Sequence, residues 1–488
     1  MKILMVSSEV APFSKTGGLA DVAGALPRAL GNIPGCDVRV VSPFYRMIKK
    51  GPFKTEKSKV IKNIPGRGAG DFFELREREE AGVRFYFIGK DEYYDRDGIY
   101  GTSHGDYSDN AARFSFLSAS ALATAVETGF YPDIIHINDW QTALLPIYKK
   151  GLPGRSHPLK KSKVLFTVHN LGYQGVFSKK AIADTGLSRE ALREVTSGES
   201  INFIKSGILY SDAINAVSKK YAEEILTPEY GCGMEGILKK RAKDLYGILN
   251  GADYSDWNPE TDSLIDENYN AEALHKKKAC KLKLLEYMNI DIPPEAPLVG
   301  SVGRLVYQKG IDIMLASIDD ILELGAGFVL LGTGEELYEA ALTSLASEYK
   351  GKIGVSIRFD NKLAHMIEAG ADMFVMPSRY EPCGLNQMYS LKYGTVPIVR
   401  ATGGLDDTIT DYFEARDRGN GFKFAKPDID DFMGALGRAV EVFKGDKKEW
   451  GRIQKRGMAS DFSWRHAAVE YNQLYKKMLG EATTRGER

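Results

Sequence analysis

Short β-branched runs recur along this 488-residue chain, each followed by a longer stretch of helical pattern. In the first half they are Lys2–Ser7, Asp37–Ser42, Val83–Ile88, Asp133–Ile137, Lys163–Val168 and Asp212–Val217. In the second half they are Leu298–Val302, Gly327–Leu331, Asp372–Met376 and Val396–Val399. Runs that are apolar on both faces suit strands covered by helices on either side, the arrangement of a parallel sheet. Two such series, each of the order of 200 residues, predict an α/β chain of two Rossmann-like, doubly wound domains. The polar stretch Asn250 to Asn270 is the expected joint. In domains of this kind ligands bind at the carboxyl ends of the strands, so a deep cleft between the two is the expected site.

Composition removes several classes of function. Lys plus Arg and Asp plus Glu each number 65, giving a formal net charge of +0, which offers no basic face for nucleic acid. No run of about 18 uncharged apolar residues is present, and the longest candidate, Phe114 to Val126, is broken by serines. The opening Met1 to Val6 is too short for a signal h-region before Ser7, Ser8 and Glu9. The four cysteines, Cys36, Cys232, Cys280 and Cys383, lack paired spacing, and the histidines lack a metal-ligand pattern. The expectation is a cytoplasmic protein with no metal, no cofactor, no membrane and no nucleic-acid partner.

The chemistry-bearing segments all follow predicted strands. Lys15-Thr16-Gly17-Gly18 runs from the first strand into a helix, where paired glycines let backbone N–H groups approach an anion and Lys15 adds charge. The alternative is a turn that needs positive φ, with Lys15 simply solvated. Gly332-Thr333-Gly334 lacks the third glycine of a dinucleotide fingerprint, and no Gly-x4-Gly-Lys-Ser/Thr segment occurs. Arg304 and Lys309 share one loop, either a cation pair for a diphosphate or a salt-bridged surface. Pro377 to Tyr389 puts Glu381, Cys383 and Gly384 at a helix mouth, with Thr402-Gly403-Gly404 downstream. Cys383 could be a nucleophile, but a lone cysteine without a placed partner reads more simply as structural.

Taken together, K-T-G-G-L-A-D-V, H-N-L-G-Y-Q-G-V-F at His169 to Phe177, N-G-A-D at Asn250 to Asp253, G-R-L-x-x-Q-K-G, E-P-C-G-L and D-F-S-W at Asp461 to Trp464 resemble the bacterial glycogen synthases and plant starch synthases. The resemblance is colinear from Met1 to about Leu479. It implies the GT-B arrangement and a retaining, metal-independent transfer of glucose from ADP-glucose to the non-reducing end of an α-1,4-glucan. It also implies three segments: 1–249 for the acceptor side and diphosphate loop, 250–462 for the nucleotide sugar, and 463–488 for a helix returning to the first domain.

The resemblance assigns residues one by one. Lys15, Gly17, Gly18 and Asp21 match the loop that meets the donor diphosphate, and Arg304 and Lys309 match the pair that neutralises it, with Gln308 and Ser378 alongside. Glu381 matches an acid against the donor sugar, with Cys383, Gly384 and Leu385 as nearby amide contacts. His169 matches a histidine beside the glucosyl ring and Asn250 a polar sugar contact. Asp139 and Trp140, and more loosely Tyr93 and Tyr94, match acceptor-side positions. Phe359 stands where many relatives stack a tyrosine on adenine, so the ring is kept and the hydroxyl lost. Tyr389 stands where wider retaining transferases of this fold carry a second glutamate.

Breaking the anomeric C–O bond puts positive charge on the sugar and negative charge on the departing diphosphate. Preorganised cations in a dry site stabilise that separation by several kcal/mol. Retention through a covalent intermediate would need a second carboxylate about 5 Å from the first, for which Asp139 and Asp21 are candidates beside Glu381. The resemblance favours front-face departure, with Glu381 positioning and stabilising. A glucan-binding module would have no use for the cations. A sucrose or lipid-linked transferase would be expected to carry glutamate at 389 and to lack the Lys15 motif.

Overall fold

The computed structural model describes residues 1–68, 70–102 and 104–481. The expected frayed end, Glu481 to Arg488, falls outside the described residues from 482 onward. The chain divides into two compact units, one of 1–217, 222–251 and 464–488, the other of 218–221 and 252–463.

The first unit holds a nine-stranded sheet. Its strands are β1 (Lys2–Val6), β2 (Asp37–Pro43), β3 (Glu56–Ile61), β4 (Phe73–Glu80), β5 (Val83–Gly89), β6 (Ile134–Asn138), β7 (Lys163–Val168), β8 (Ala213–Ala216) and β9 (Leu245–Gly247). They lie in the order β9-β8-β7-β6-β1-β2-β5-β4-β3, parallel except where β4 pairs with β5 and with β3. Met5 of β1 lies opposite Val40 of β2 and His136 of β6. The central strands are the apolar runs; the edge strand β3 and its neighbour β4, EKSKVI and FELREREE, carry charged residues, none of which is buried.

The stretch Phe114 to Val126 lies in helix Asn110–Glu127, almost wholly buried. Its small residues let it pack closely, and the Ser115 and Thr124 hydroxyls bond back to the helix, to the Ala112 carbonyl at 2.9 Å and the Ser120 carbonyl at 2.8 Å. Among the described residues no helix is long and apolar enough to cross a membrane. Helix Trp464–Met478 completes this unit: the Tyr471 hydroxyl accepts from Asn215 Nδ2 at 2.9 Å, and the Tyr475 hydroxyl meets His136 Nδ1 at 2.9 Å. Gly251 makes this docking possible, since a Cβ there would lie 2.5 Å from Trp464 Cα.

The second unit holds a wholly parallel sheet of β10 (Leu298–Val302), β11 (Gly327–Gly332), β12 (Ile353–Ile357), β13 (Met373–Met376), β14 (Val396–Arg400) and β15 (Phe422–Phe424). The order is β12-β11-β10-β13-β14-β15. Core clusters cover both faces, one including Val299, Phe328 and Phe432, the other Leu298, Val329 and Leu363. The order reverses between β10 and β13, so the loops leaving those two strands diverge there and leave a crevice at their carboxyl ends.

Candidate active site

In the second unit that crevice is lined by the loops predicted from sequence. After β10 the chain passes Arg304, which is exposed, and makes a tight turn over Tyr307–Lys309. Gly310 follows at φ 69°, where any Cβ would collide with the Pro377 carbonyl. The Gly332-Thr333-Gly334 segment serves the same loop. Leu305 bonds to the Thr333 carbonyl at 2.9 Å, and side chains at 332 or 334 would strike the Gly303 and Leu305 carbonyls. These glycines are there for close backbone packing.

Glu381 is 7% exposed. Its Oε2 forms an ion pair with Lys309 Nζ and accepts from Ser378 Oγ at 3.2 Å. A buried carboxylate depends on its cationic partner, and removing one side of such a pair costs about 3–5 kcal/mol. The Glu381 loop is clamped by the second Gly-Gly turn. Gly404 N–H donates to the Glu381 carbonyl at 3.1 Å, and a Cβ at Gly403 or Gly404 would strike the Glu381 or Cys383 carbonyl. Gly384 has φ 71°, and the Gln387 amide donates to the carbonyls of Cys383 and Gly384 at 3.1 Å each. Cys383 is buried in this clamp, the setting of a structural cysteine. Gln308 Nε2 donates to the Tyr380 carbonyl at 3.0 Å, tying the two loops together.

Two aromatic positions contrast. Phe359, just after β12, is 87% exposed, a ring face open to solvent. Tyr389 is buried and stacks on Trp257 at 4.2 Å, with His365 on that ring's other face at 3.8 Å. Tyr389 is therefore a packing element of the second unit's core.

In the first unit, the segments after the neighbouring strands β1, β6 and β7 carry most of the remaining candidates, while Tyr93 and Tyr94 follow β5 and Asn250 follows β9. Lys15, half-exposed, pairs with Asp21 at 2.7 Å. A surface pair of this kind contributes about 0–1 kcal/mol and is readily exchanged for another anion. Gly17 is extended (φ −154°), and a Cβ at Gly17 or Gly18 would meet nothing within 4 Å. The turn therefore does not require glycine for positive φ or for protein packing, and the space above it is open.

Asp139 occupies the left-handed region at φ 53°, which aims its side chain back at β7: Oδ1 accepts from the His169 backbone N–H at 2.7 Å. Burial pushes the Asp139 carboxyl up to about 7, against the pull of the His169 and Asn170 amides. Burial lowers the His169 imidazole to about 3, so it is neutral at neutral pH. Its Nε2 lies 2.9 Å from Asn138 Oδ1, and Asn138 Nδ2 donates to the Val6 carbonyl at 3.1 Å, which orients the amide. The imidazole proton is then on Nε2, leaving Nδ1 as the acceptor nitrogen. Asn250 Oδ1 is buried with no hydrogen-bond partner among the described residues.

The acceptor-side aromatics need correction. Tyr94 is fully buried and its hydroxyl donates to the Arg113 carbonyl at 2.8 Å, so it cannot touch a ligand directly. Trp140 is packed against Phe114 and Phe177, with Gly175 (φ 62°) against its ring, which makes it core support for the Asp139 loop. Tyr93 remains half-buried. Sequence reasoning missed Glu9, whose carboxylate holds the Lys15 loop; an acid just past the end of a strand carries no motif signal.

Two doubly wound units of this kind, the second with cations and a clamped glutamate at its switch point, define a glycosyltransferase of the GT-B fold. Residues 2–240 match the family model described as starch synthase catalytic domain, and 288–448 that of glycosyl transferases group 1. The glycogen synthase of Koribacter versatilis is 44% identical over 98% of this chain and 98% of its own, and glycogen synthase 2 of Geobacter sulfurreducens is 43% identical over 100% of each. The chain belongs to the glycogen synthase family. The solved catalytic domain of starch synthase IV from Arabidopsis thaliana, bound to ADP and acarbose, is 32% identical with a TM-score of 0.89, covering 98% of this chain and 99% of that one. A sucrose-phosphate synthase from Thermosynechococcus elongatus shares the fold, at TM-score 0.60 and 17% identity over 98% of this chain and 99% of that one.

Proposed function

We propose that this chain transfers glucose from ADP-glucose to the non-reducing end of an α-1,4-glucan in the cytoplasm, with retention and without a metal ion. The observation that carries the reading is the Lys309–Glu381–Ser378 cluster, held at a strand-order reversal by glycines that admit no side chain. The ADP and acarbose of the Arabidopsis relative support an adenine nucleotide and a sugar as ligands. The exposed ring of Phe359 suits an adenine face. In this reading the second unit binds the nucleotide sugar, and the first supplies the acceptor side and a diphosphate loop.

Lys15, Arg304 and Lys309 are assigned to the diphosphate, with Gly17, Gly18, Gln308, Ser378 and the Cys383–Leu385 backbone around the donor. As the anomeric C–O bond breaks, these cations take up the charge on the leaving oxygen. The acceptor hydroxyl attacks from the same face, its oxygen bonds to the anomeric carbon, and its proton passes to the departing phosphate. Glu381 stabilises the positive sugar and sets its pose. His169, neutral, accepts from a sugar hydroxyl through Nδ1, and Asn250 Oδ1 finds its partner in the sugar. Asp139 and Tyr93 lie on the acceptor side.

The test is incubation with a glucan primer and either ADP-glucose or UDP-glucose in the presence of a chelator. Chain extension with ADP-glucose is expected. Nucleotide release without extension would mean a different acceptor, and extension only with UDP-glucose or only with added metal would overturn those parts of the reading.

A further inference from the structure

The loop carrying Lys15, Gly17 and Gly18 is shaped by a carboxylate that lies beneath it. Glu9 turns inward after β1 and is 3% exposed. Its Oε2 accepts from the Thr16 backbone N–H at 2.6 Å, the Thr16 hydroxyl at 3.0 Å and the Gly17 N–H at 3.2 Å. Its Oε1 accepts from the Tyr100 hydroxyl at 2.9 Å. The network continues through Tyr100, whose carbonyl accepts from Asn110 Nδ2 at 2.8 Å. Asn110 Oδ1 accepts from Arg113 Nη1 at 2.6 Å, and Arg113 Nε donates to the Tyr93 carbonyl at 2.7 Å. One buried path thus joins the backbone of the Lys15 loop to that of Tyr93.

Burying a carboxylate is costly unless donors compensate it, and here four donors converge on one side chain. The glycines do not dictate the loop's course, because neither Gly17 nor Gly18 is at positive φ or crowded by protein. The restraint on Thr16 and Gly17 comes from Glu9. Those two amides are occupied from below, so an incoming anion is left Lys15 and the amides of helix Gly18–Gly31. Burial raises the Glu9 pKa while the four donors lower it.

Resting on the donor reading above, we propose that Glu9 is the positioning residue of the diphosphate loop, presenting Lys15 and the following helix start to the nucleotide through Thr16 and Gly17. Glu9 does not touch the substrate. An amide can replace the carboxylate: in Glu9→Gln the side-chain oxygen would turn to Thr16 and Gly17 and the NH2 to Tyr100, whose hydroxyl would then donate to Ser8 Oγ, 2.8 Å away.

The experiment uses the full chain, ADP-glucose, a glucan primer and, by calorimetry, ADP alone. Glu9→Ala is expected to raise the KM for ADP-glucose and the Kd for ADP about 10-fold or more, with the glucan KM within about 2-fold. Glu9→Gln is expected to recover donor affinity to within about 3-fold of the unaltered chain. Should Glu9→Ala not fold, Thr16→Val, which removes one hydroxyl, is expected to give the same donor-selective shift at about 2- to 5-fold. Unchanged donor affinity, or equal losses for donor and glucan with no recovery by glutamine, would overturn the assignment. Failure of the unaltered chain to bind ADP or use ADP-glucose would instead overturn the donor reading, and with it this inference.

Discussion

At the scale of single residues, Asp139 shows how the geometry of a loop is held at a cost in stability. Its left-handed backbone and its bonds to the amides at 169 and 170 fix the β7 loop, but burial lifts its carboxyl from 3.8 to about 7. Between those values the folded chain keeps a proton that the unfolded chain has released. Stability from this group is therefore greatest below about pH 4 and falls as pH rises towards 7. Asparagine keeps the accepting oxygen and has no charge to bury. Asp139→Asn should be more stable than the unaltered chain at pH 8, by up to about 4 kcal/mol, and the gap should close towards pH 4. Thermal melts across that range check it; a gap that is constant with pH would contradict the assigned cause.

At the scale of elements, glycines separate into those required by packing and those with open space. Gly404 lies against the Cys383 carbonyl, and a methyl there must move the loop that carries Glu381. Gly18 starts a helix with nothing within 4 Å of its Cβ position. Gly404→Ala is expected to cost about 2 kcal/mol or more of stability and to lower kcat sharply. Gly18→Ala should leave stability within about 1 kcal/mol, since alanine suits a helix better, yet raise the donor KM about 10-fold by filling the approach to the amides. Paired denaturation curves and initial-rate kinetics distinguish the two. A Gly18→Ala variant with unchanged donor KM would count against a diphosphate at that loop. The same reasoning explains Gly332-Thr333-Gly334, which resembles part of a nucleotide fingerprint but seats the Arg304 loop.

At the scale of the whole molecule, the last helix is part of the first unit's core. Tyr471 and Tyr475 are fully buried and reach β8 and β6 through Asn215 and His136. His136 is held neutral, its pKa lowered to about 3 by burial, and bonds to Thr167 Oγ1 through its other nitrogen. Tyr475→Phe removes one partner of a buried polar group and should cost about 1–3 kcal/mol. Tyr471→Ala, which also opens a cavity, should cost about 3–5 kcal/mol. Urea titrations read both; costs under about 0.5 kcal/mol would mean that the helix is a peripheral addition.

What could be read from the linear chain follows from local physics. Buried parallel strands must be apolar on both faces, so the central strands were visible as runs, and loops leaving them were the natural home of Lys15, Arg304, Lys309, His169 and Glu381. The edge strand Glu56–Ile61 and its neighbour Phe73–Glu80 were hidden because the open end of a sheet tolerates charge, which erases the pattern. Motif resemblance supplied the family, and with it the expectations placed on Asn250 and Phe359. Long-range packing decided the rest. Tyr94 and Trp140 carry the residue types of a sugar platform, yet neighbours more than a dozen positions away enclose them. Glu9 looked like a polar interruption after a strand until the fold brought Tyr100 and Thr16 to its two oxygens. Alternation of apolar residues and the conformational needs of loops are local, so the sequence by itself determined the class of fold and the places where chemistry could occur. Burial and partner choice arise only when distant segments meet, so tertiary structure alone decided which of those residues stay open to solvent and which are enclosed and hold the others still.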